Sequence, residues 1–198
     1  MRAIIQKVSK ARVTIANSIV GIIDKGLLVF IGVSSSDNRE ESIKIADKIC
    51  KLRIFKDNNN KMNLSVQDVQ GSVMIVSQFT LYGDCQKGNR PSFIHAAPQK
   101  HAQKIYNELI NYMQTKNLNI QTGEFGADMD VELINDEDVP FVYLKYLIFT
   151  PTLESCFSIL FHLVVFFQSS PTNIISNFIF FHALNLFISF CGTTLSTY

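Results

Sequence analysis

Residues 73–93 read VMIVSQFTLYGDCQKGNRPSF, and the rest of the fold is predicted to be organised around this stretch. It begins as an apolar strand and continues into hydroxyl and amide side chains. It ends in a loop that contains glycine and proline and carries Lys87 and Arg90. A buried strand that ends in polar groups places them at the rim of a rigid sheet, beside cations suited to a phosphate-bearing ligand. The stretch therefore predicts a site, although it specifies no reaction.

The polar groups at the end of this strand leave three chemical interpretations open. If the strand continues to Tyr82, its alternation places on one face Gln78, Thr80 and Tyr82, and on the other Ser77, Phe79 and Leu81. Thr80 and Ser77 are candidate nucleophiles, but no histidine or carboxylate stands at a spacing that provides a base. Gln78, or the backbone N–H groups of Phe79 and Thr80, could instead stabilise a developing oxyanion. In the third interpretation the cluster only satisfies its own hydrogen bonds.

The first half of the chain predicts a hairpin, a buried strand and a helix. Residues 2–16 alternate apolar and polar side chains, and Asn17 and Ser18 mark a turn before a second strand at residues 20–23. The run LLVFIGV fits a strand buried on both faces. Asp37 followed by Glu40 predicts a capping box and a helix to about Lys51. The helix residues expected to face the core are Ile43, Ala46, Ile49 and Cys50.

The second half predicts a two-stranded element, one more helix and two further strands. RIFKD and KMNLS, joined by the polar turn DNNN, form a two-stranded element. Pro98 begins a helix that runs to about Lys116. Its inward stripe comprises Ala102, Ile105, Tyr106, Leu109, Ile110 and Met113. Residues 119–122 and 129–134 are strands separated by GEFGAD, whose glycines permit positive φ or close backbone approach. The sum is an α+β fold of about seven mainly antiparallel strands and two helices.

The charged residues are confined almost entirely to the first three quarters of the chain. All 18 Lys and Arg and all but Glu154 of the 17 Asp and Glu precede residue 146, whereas 11 of 16 Phe lie from residue 141 onward. This predicts a domain over residues 1–146 and a hydrophobic tail over residues 147–198. The two apolar runs of the tail are short or marginal for membrane spans and have no flanking Lys or Arg. Membrane association of the tail is therefore less favoured than an accident of the coding sequence.

The other reactive residues give no cofactor or metal site. The four cysteines show no metal-binding spacing, and the N-terminus is a charged strand rather than an apolar signal, which predicts a reduced cytoplasmic setting. Cys85 is interpreted as incidental, and His95 and His101 as surface residues. Alternating carboxylates on a strand edge are the ordinary pattern of a polar face; they are Asp128, Asp130, Glu132 and Asp136. No metal and no cofactor is expected.

Several motifs in order resemble the D-aminoacyl-tRNA deacylases over residues 1–136. They are MRAIIQKVSKARVTI, KICKLRIFKD, KMNLSV, VSQFTLYGD, KGNRPSF, TGEFGADM and VELIND. The resemblance implies a compact homodimer of sheet and helix layers. It also implies hydrolysis of the ester between a D-amino acid, or glycine, and the terminal adenosine of tRNA, a proofreading activity in translation. The expected partner is aminoacyl-tRNA.

The resemblance also assigns roles to residues. Ser77, Gln78 and Thr80 match the catalytic part of the family motif, and Thr80 is either the nucleophile or a neighbour of an attacking water assisted by backbone donors and the ribose hydroxyl. The residues implied to bind the aminoacyl group and the adenosine are Phe79, Leu81, Phe125, Gly126, Ala127 and Met129. Lys87 and Arg90 are implied to approach the acceptor-stem phosphates.

The family pattern ends after Asp136. Where the family has a Gly-Pro pair that excludes L-amino acids from the pocket of the partner subunit, this chain has Glu137 and Asp138. Its nearest equivalent, Val139 and Pro140, lies two residues later, and Pro140 is the expected contact to the substrate. The alternative function is a catalytically impaired variant that binds tRNA and dimerises without the Gly-Pro element.

Overall fold

The computed structural model describes residues 1–136 and 142–145, in which strands and two helices alternate. The strands are β1 (Arg2–Ile15), β2 (Ser18–Ile23), β3 (Gly26–Gly32), β4 (Phe55–Lys56), β5 (Met62–Leu64), β6 (Ser72–Ser77), β7 (Asn119–Thr122), β8 (Asp130–Asn135) and β9 (Val142–Lys145). The helices are α1 (Arg39–Lys51) and α2 (Gln99–Gln114), and a short 3₁₀ turn spans Phe79–Tyr82. The predicted α+β class with two helices is confirmed.

Strand β1 is the centre of the sheet because each of its halves has a neighbour on both sides. Its first half pairs with β3 and β9, and its second half pairs with β2 and β8, all antiparallel. The predicted opening hairpin is confirmed, and its turn places Ala16 and Asn17 at φ of 46° and 64°, a region that asparagine tolerates well. One long twisted strand shared by two sets of neighbours gives a nearly barrel-shaped sheet.

Two of the described strand pairs are parallel, in a sheet that the sequence predicts to be mainly antiparallel. β3 pairs with β6, and β6 pairs with β7, both in parallel register. A parallel pair requires a crossover connection; α1 lies between β3 and β6 in the chain, and α2 lies between β6 and β7. As a result, the carboxyl ends of three neighbouring strands lie at the same edge of the sheet.

Helix α1 begins one residue later than the sequence predicts. Asn38, not Asp37, is the N-cap, and its side chain and that of Glu41 complete the capping box. The Asp37 carboxylate is occupied elsewhere, since it accepts hydrogen bonds from the Met1 ammonium at 2.6 Å and the Ser34 N–H at 2.6 Å. Burial lowers the pKa of that ammonium group. The Asp37 side chain thus holds the start of β1 in place, and the neighbouring Asn38 provides the N-cap of α1.

The inward faces of the two helices are close to those predicted. In α1 the residues Ala46, Ile49 and Cys50 are buried, but Ile43 is only half-buried and Ile45 takes its place. In α2 the expected stripe is confirmed. Tyr112 on α2 donates to Asp47 on α1 at 2.9 Å, and the Lys116 ammonium lies 3.1 Å from the same carboxylate. These contacts hold the pKa of Asp47 below its usual range, the Tyr112 bond being the main cause.

The apolar residues form two cores, one on each side of the sheet. The larger lies between the helices and β1, β3 and β6, and its largest members include Phe55, Leu27, Ile49 and Leu109. The smaller core lies on the other face of the sheet and is built only from strand residues. It comprises Val8, Ala11, Val13, Ile23, Leu28, Met74 and Val76. Burial on both faces explains why β3 and β6 are continuous apolar runs in the sequence.

The β4–β5 hairpin is formed as predicted, and Asn60 in its turn has φ of 58°. Asp57 accepts from the N–H groups of Asn59 and Lys61 and from the Asn63 side chain.

In the described part of the chain, no helix is long and apolar enough to cross a membrane. The predicted tail at residues 147–198 and the predicted substrate contact Pro140 lie outside the described residues.

Candidate functional site

A cavity of about 960 Å³ opens at the edge where the parallel strands β3, β6 and β7 end. Each of these strands supplies the residues at or beyond its carboxyl end to the wall, namely Val33 after β3, Ser77–Phe79 at the end of β6, and 125–129 after β7. The first turns of α2 form a further wall through Pro98, Gln99, Ala102 and Tyr106. The carboxyl edge of parallel strands is where α/β folds commonly bind ligands.

Beyond Ser77 the chain leaves the sheet, so the condition for strand alternation up to Tyr82 is not met. The Gln78 N–H still donates to the Ile31 carbonyl at 2.7 Å, after which Phe79–Tyr82 forms the 3₁₀ turn. The turn rests on Gly32: a Cβ atom at that position would lie 3.1 Å from the Gln78 carbonyl oxygen, from Leu81 Cβ and from the Tyr82 ring. Glycine at the end of β3 therefore lets the turn approach the sheet closely.

Arg2 holds the 3₁₀ turn through two contacts. Its Nη1 donates to the Leu81 carbonyl at 2.7 Å, and its guanidinium stacks 4.3 Å from the centre of the Tyr82 ring. Its Nε is buried without a hydrogen-bond partner among the described residues. Tyr82 itself is buried, and burial raises the pKa of its hydroxyl. These contacts tie the turn to the start of β1.

The three predicted catalytic residues lie at this turn, but they do not have equal access to the cavity. Ser77 and Gln78 line it, and Thr80 does not. The Gln78 side-chain amide donates a short hydrogen bond to the Thr80 hydroxyl oxygen. No histidine or carboxylate of the described chain is hydrogen-bonded to that hydroxyl. A nucleophilic hydroxyl needs a base to take its proton, and in this geometry its hydrogen-bond partner is an amide donor.

The predicted substrate-binding residues also divide into two groups. Phe79 lines the cavity and is 58% exposed, with its ring 5.0 Å from that of Phe93 in an edge-to-face arrangement. Leu81 packs on Gly32 and is not part of the cavity lining. An exposed aromatic pair at a cavity mouth can offer a flat apolar surface to a ligand ring.

The segment 125–129 lines the cavity as predicted and is fixed by its packing. The Phe125 ring lies 5.5 Å from that of Tyr106, whose hydroxyl donates to the Ile75 carbonyl at 2.8 Å. Gly126 has φ of 80°, which confirms the expected positive φ. A Cβ atom on Gly123 would collide with the Met129 sulfur, so the segment folds closely over that glycine.

Residues 83–93, termed here the rim loop, carry the predicted basic patch beside the cavity. The loop is closed by paired backbone hydrogen bonds between Asp84 and Ser92 at 2.8 and 2.9 Å. Lys87 and Arg90 are exposed on it, and so is Cys85. Neither Lys87 nor Arg90 lines the cavity, although Phe93 at the end of the loop does. The structure therefore places the two cations on an exposed loop and outside the cavity lining.

One wall residue, Asp128, was interpreted from the sequence as part of an ordinary polar strand face. The structure places it before β8 begins, in the cavity wall. The signal available in the sequence was the glycine-containing segment GEFGAD, which a regular strand would not include. Asp128 is the one carboxylate among the cavity-lining residues that the structure describes. The described chain contains no group of three or more His, Cys, Asp or Glu suited to a metal ion.

The comparisons with known proteins give one consistent family. The model of the D-Tyr-tRNA(Tyr) deacylase family matches residues 4–143. A D-aminoacyl-tRNA deacylase from Thermosipho africanus is 52% identical over 139 residues, which cover 70% of this chain and 93% of the relative. Another from Desulfatibacillum aliphaticivorans is 50% identical and covers 72% of this chain and 97% of the relative.

Solved structures agree with the fold. A structure titled c-Myc DNA Unwinding Element Binding Protein is 35% identical, with a TM-score of 0.70 over 75% of this chain and 100% of that one. A second, titled as a probable eukaryotic D-amino acid tRNA deacylase, is 14% identical, with a TM-score of 0.61 over 72% of this chain and 98% of that one. The second likeness supports the fold alone.

Proposed function

The chain belongs to the D-Tyr-tRNA(Tyr) deacylase family, and we infer that it is a hydrolase that cleaves the ester bond of D-aminoacyl-tRNA, releasing the D-amino acid and free tRNA. Hydrolysis of mischarged glycyl-tRNA is part of the same proposal. The observation that carries the inference is the cavity at the carboxyl edge of β3, β6 and β7, because the family motif residues Ser77–Phe79 and 125–129 line it together. Identity of about 50% to relatives named as deacylases favours an active enzyme over an impaired tRNA-binding variant.

The cavity has the dimensions and lining that an aminoacylated adenosine requires. Its volume of about 960 Å³ lies in the range of small-molecule sites. Apolar side chains such as Phe125 and Met129 can contact the amino-acid side chain, and the exposed Phe79 ring can stack on a base. Ser77 and Gln78 supply the polar groups nearest the turn. An ester bound here would have its carbonyl beside the first N–H groups of the 3₁₀ turn.

For the mechanism we propose attack by water, with the turn stabilising the oxyanion. The first N–H groups of any helical turn have no partner inside that turn, and here they belong to Phe79, which lines the cavity, and to Thr80, the next residue of the turn. Such fixed donors stabilise a developing oxyanion without reorganisation. The Gln78 side-chain amide donates a hydrogen bond to the Thr80 hydroxyl. In this mechanism Thr80 therefore stabilises the conformation of the turn and does not attack the ester. Water forms a bond to the ester carbonyl carbon and gives up one proton through the neighbouring ribose hydroxyl to solvent. When the tetrahedral intermediate collapses, the electron pair of the cleaved C–O bond leaves with the ester ribose oxygen, which takes up a proton in return.

The partners of the protein follow from the same proposal. Aminoacyl-tRNA is the substrate, and Lys87 and Arg90 on the rim loop would contact acceptor-stem phosphates, since exposed cations position a nucleic-acid backbone. Homodimerisation is supported by large apolar side chains exposed on β2 and β8; they are Ile19, Val20, Ile22 and Ile134. Residues 1–146 form the enzyme unit, and we propose a cytoplasmic location, where aminoacyl-tRNA is found.

The direct test is release of D-tyrosine from D-Tyr-tRNA by the purified full chain, with L-Tyr-tRNA and a buffer control measured in parallel. We expect release from the D-ester well above the buffer rate. Thr80→Val, which keeps the shape of the side chain but removes the hydroxyl, should retain activity within about tenfold if water is the nucleophile. A loss of about 10⁴-fold or more is the size that removal of a covalent nucleophile produces, and it would replace the water mechanism with Thr80 attack. Release no faster than buffer by folded protein would overturn the enzymatic function.

A further inference from the structure

The described lining of the cavity carries a negative side-chain charge and no positive one. Among its described lining residues there is no lysine, arginine or histidine, and the single carboxylate is that of Asp128. The basic side chains on the rim loop, Lys87 and Arg90, lie outside the lining. A cavity with one anionic group and no cationic group favours a ligand part that carries a positive charge.

The Asp128 carboxylate is not used by the fold. Asp128 is exposed at the cavity wall, and its carboxylate makes no hydrogen bond and no ion pair with the residues that the structure describes. The segment that carries it is nevertheless fixed, since the Gly123 N–H donates to Ile75, the Ala127 N–H donates to Glu124, and Phe125 packs on Tyr106. A carboxylate that is held in place by its backbone and left without a protein partner can bind a ligand at little reorganisation cost.

We propose that Asp128 binds the α-ammonium group of the aminoacyl moiety, an inference that rests on the proposed hydrolysis of aminoacyl-tRNA. The reacting end of the substrate has one positive group, the α-ammonium beside the ester, and the negative groups of the substrate are phosphates along the tRNA. A carboxylate in the cavity and cations on the rim loop match that separation of charge. Asp128 would therefore be a specificity-determining residue that holds the substrate by the group next to the reacting carbonyl.

This assignment predicts which esters the enzyme leaves intact. An N-acylated aminoacyl-tRNA has an amide in place of the ammonium and cannot form the charge-assisted hydrogen bond, which is about twice as strong as a neutral one. Its acyl group would also bring an uncharged amide against an unpaired carboxylate. Esters with a free amino group should thus be preferred over N-acetylated esters, and the preference should depend on the charge of Asp128.

The experiment compares two substrates and four proteins. The substrates are D-Tyr-tRNA and N-acetyl-D-Tyr-tRNA, and the proteins are the wild type, Asp128→Asn, Asp128→Glu and the matched control Asp130→Asn. Asp130 lies two residues further along the chain and is exposed like Asp128, but it does not line the cavity. Binding of a non-hydrolysable 3′-amide analogue of D-tyrosyl-adenosine, with and without an N-acetyl group, is measured alongside turnover.

We expect Asp128→Asn to lower kcat/KM for D-Tyr-tRNA by about tenfold, mainly through KM, the size of effect that loss of one charge-assisted hydrogen bond produces. The N-acetylated substrate should be hydrolysed equally by the wild type and this variant. Asp128→Glu should recover part of the loss, and Asp130→Asn should change neither substrate. The free-amine analogue should bind the Asn variant more weakly, and the acetylated analogue should bind both equally.

Equal losses on both substrates, or no loss on either, would overturn the assignment of Asp128 while leaving hydrolysis by the wild type intact. A wild type that releases no D-tyrosine would overturn the proposed function instead. In that case the two analogues still decide the inference, because a preference for the free amine that Asp128→Asn abolishes would support it. Equal binding of both analogues by both proteins would refute it.

Discussion

The 3₁₀ turn at Phe79–Tyr82 and the rim loop at residues 83–93 follow each other in the chain, yet the fold holds them in different ways. The turn is fixed from two sides, by Arg2 through Leu81 and by close packing on Gly32. The rim loop is closed by its own backbone bonds between Asp84 and Ser92 and exposes most of its side chains. The chemistry near the ester requires fixed donors, whereas contact with phosphates requires only charge within reach.

Between these two regions, the larger effect on catalysis should come from releasing the turn. Arg2→Met removes the hydrogen bond to Leu81 and the stacking on Tyr82. We expect kcat to fall about 10- to 100-fold, because small displacements of groups that position the reaction have effects of this size. The melting temperature should fall by only a few degrees, since the variant also removes the buried Nε that has no partner in the described chain.

The matched control lies on the same strand. Arg12 pairs with Glu132 at an exposed position, and exposed ion pairs contribute about 0–1 kcal/mol. Arg12→Met should therefore leave kcat within about twofold of the wild type. Equal losses in the two variants would show that the turn does not depend on Arg2 for its position.

A smaller effect, of a different kind, should come from the rim loop. Lys87→Ala and Arg90→Ala should each raise KM about three- to tenfold with little change in kcat, because phosphate contacts hold the tRNA without touching the ester. Each substitution should also make the salt dependence of KM shallower, by about one unit of logarithmic slope. Lys61→Ala in the β4–β5 turn is the control and should leave both parameters unchanged. An effect confined to kcat would place these cations in the chemical step instead.

The smallest effect concerns two cysteines, one buried in the helix layer and the other exposed on the rim loop. Cys50 is a buried residue of α1, and burial raises the pKa of its thiol to about 11, whereas Cys85 is exposed on the rim loop. A raised pKa leaves little thiolate near pH 8, and the thiolate is the reactive form. Iodoacetamide followed by peptide mass spectrometry should label Cys85 first and leave Cys50 unmodified in the folded protein. Equal labelling rates would show that the Cys50 thiol reacts as readily as the Cys85 thiol, and they would contradict the protection expected from its burial.

The elements that the sequence predicted are those whose signals are local. The opening hairpin, the buried run of β3 and the stripe of α2 follow from periodicity, and the structure confirms them. The α1 cap was displaced by one residue because Asp37 and Asn38 are both good caps. The choice depended on the Met1 ammonium and Ser34, partners that a local pattern does not contain.

The features that the sequence could not provide depend on distant parts of the chain. The end of β6 at Ser77 is set by the close approach of the turn to Gly32, about 45 residues earlier in sequence. The parallel pairing of β3, β6 and β7 brings the end of one strand beside the segment that follows another, and so places Asp128 in the same cavity as Gln78. The residue types in the sequence indicated a site, whereas the strand topology determined which of those residues lie in one cavity.

The most direct test of the central claim, that the cavity at this sheet edge is where the ester is cleaved, is to fill it. Ala102 lies on α2 in the cavity wall, and Gln103 is exposed on the same helix. Release of D-tyrosine from D-Tyr-tRNA should be measured for the wild type, Ala102→Trp and Gln103→Trp, with thermal melting to verify folding. The account predicts rapid release by the wild type and Gln103→Trp, and a loss of at least about 100-fold for Ala102→Trp, because the bulky ring displaces the substrate from its reactive position. Release at the wild-type rate by folded Ala102→Trp would contradict it.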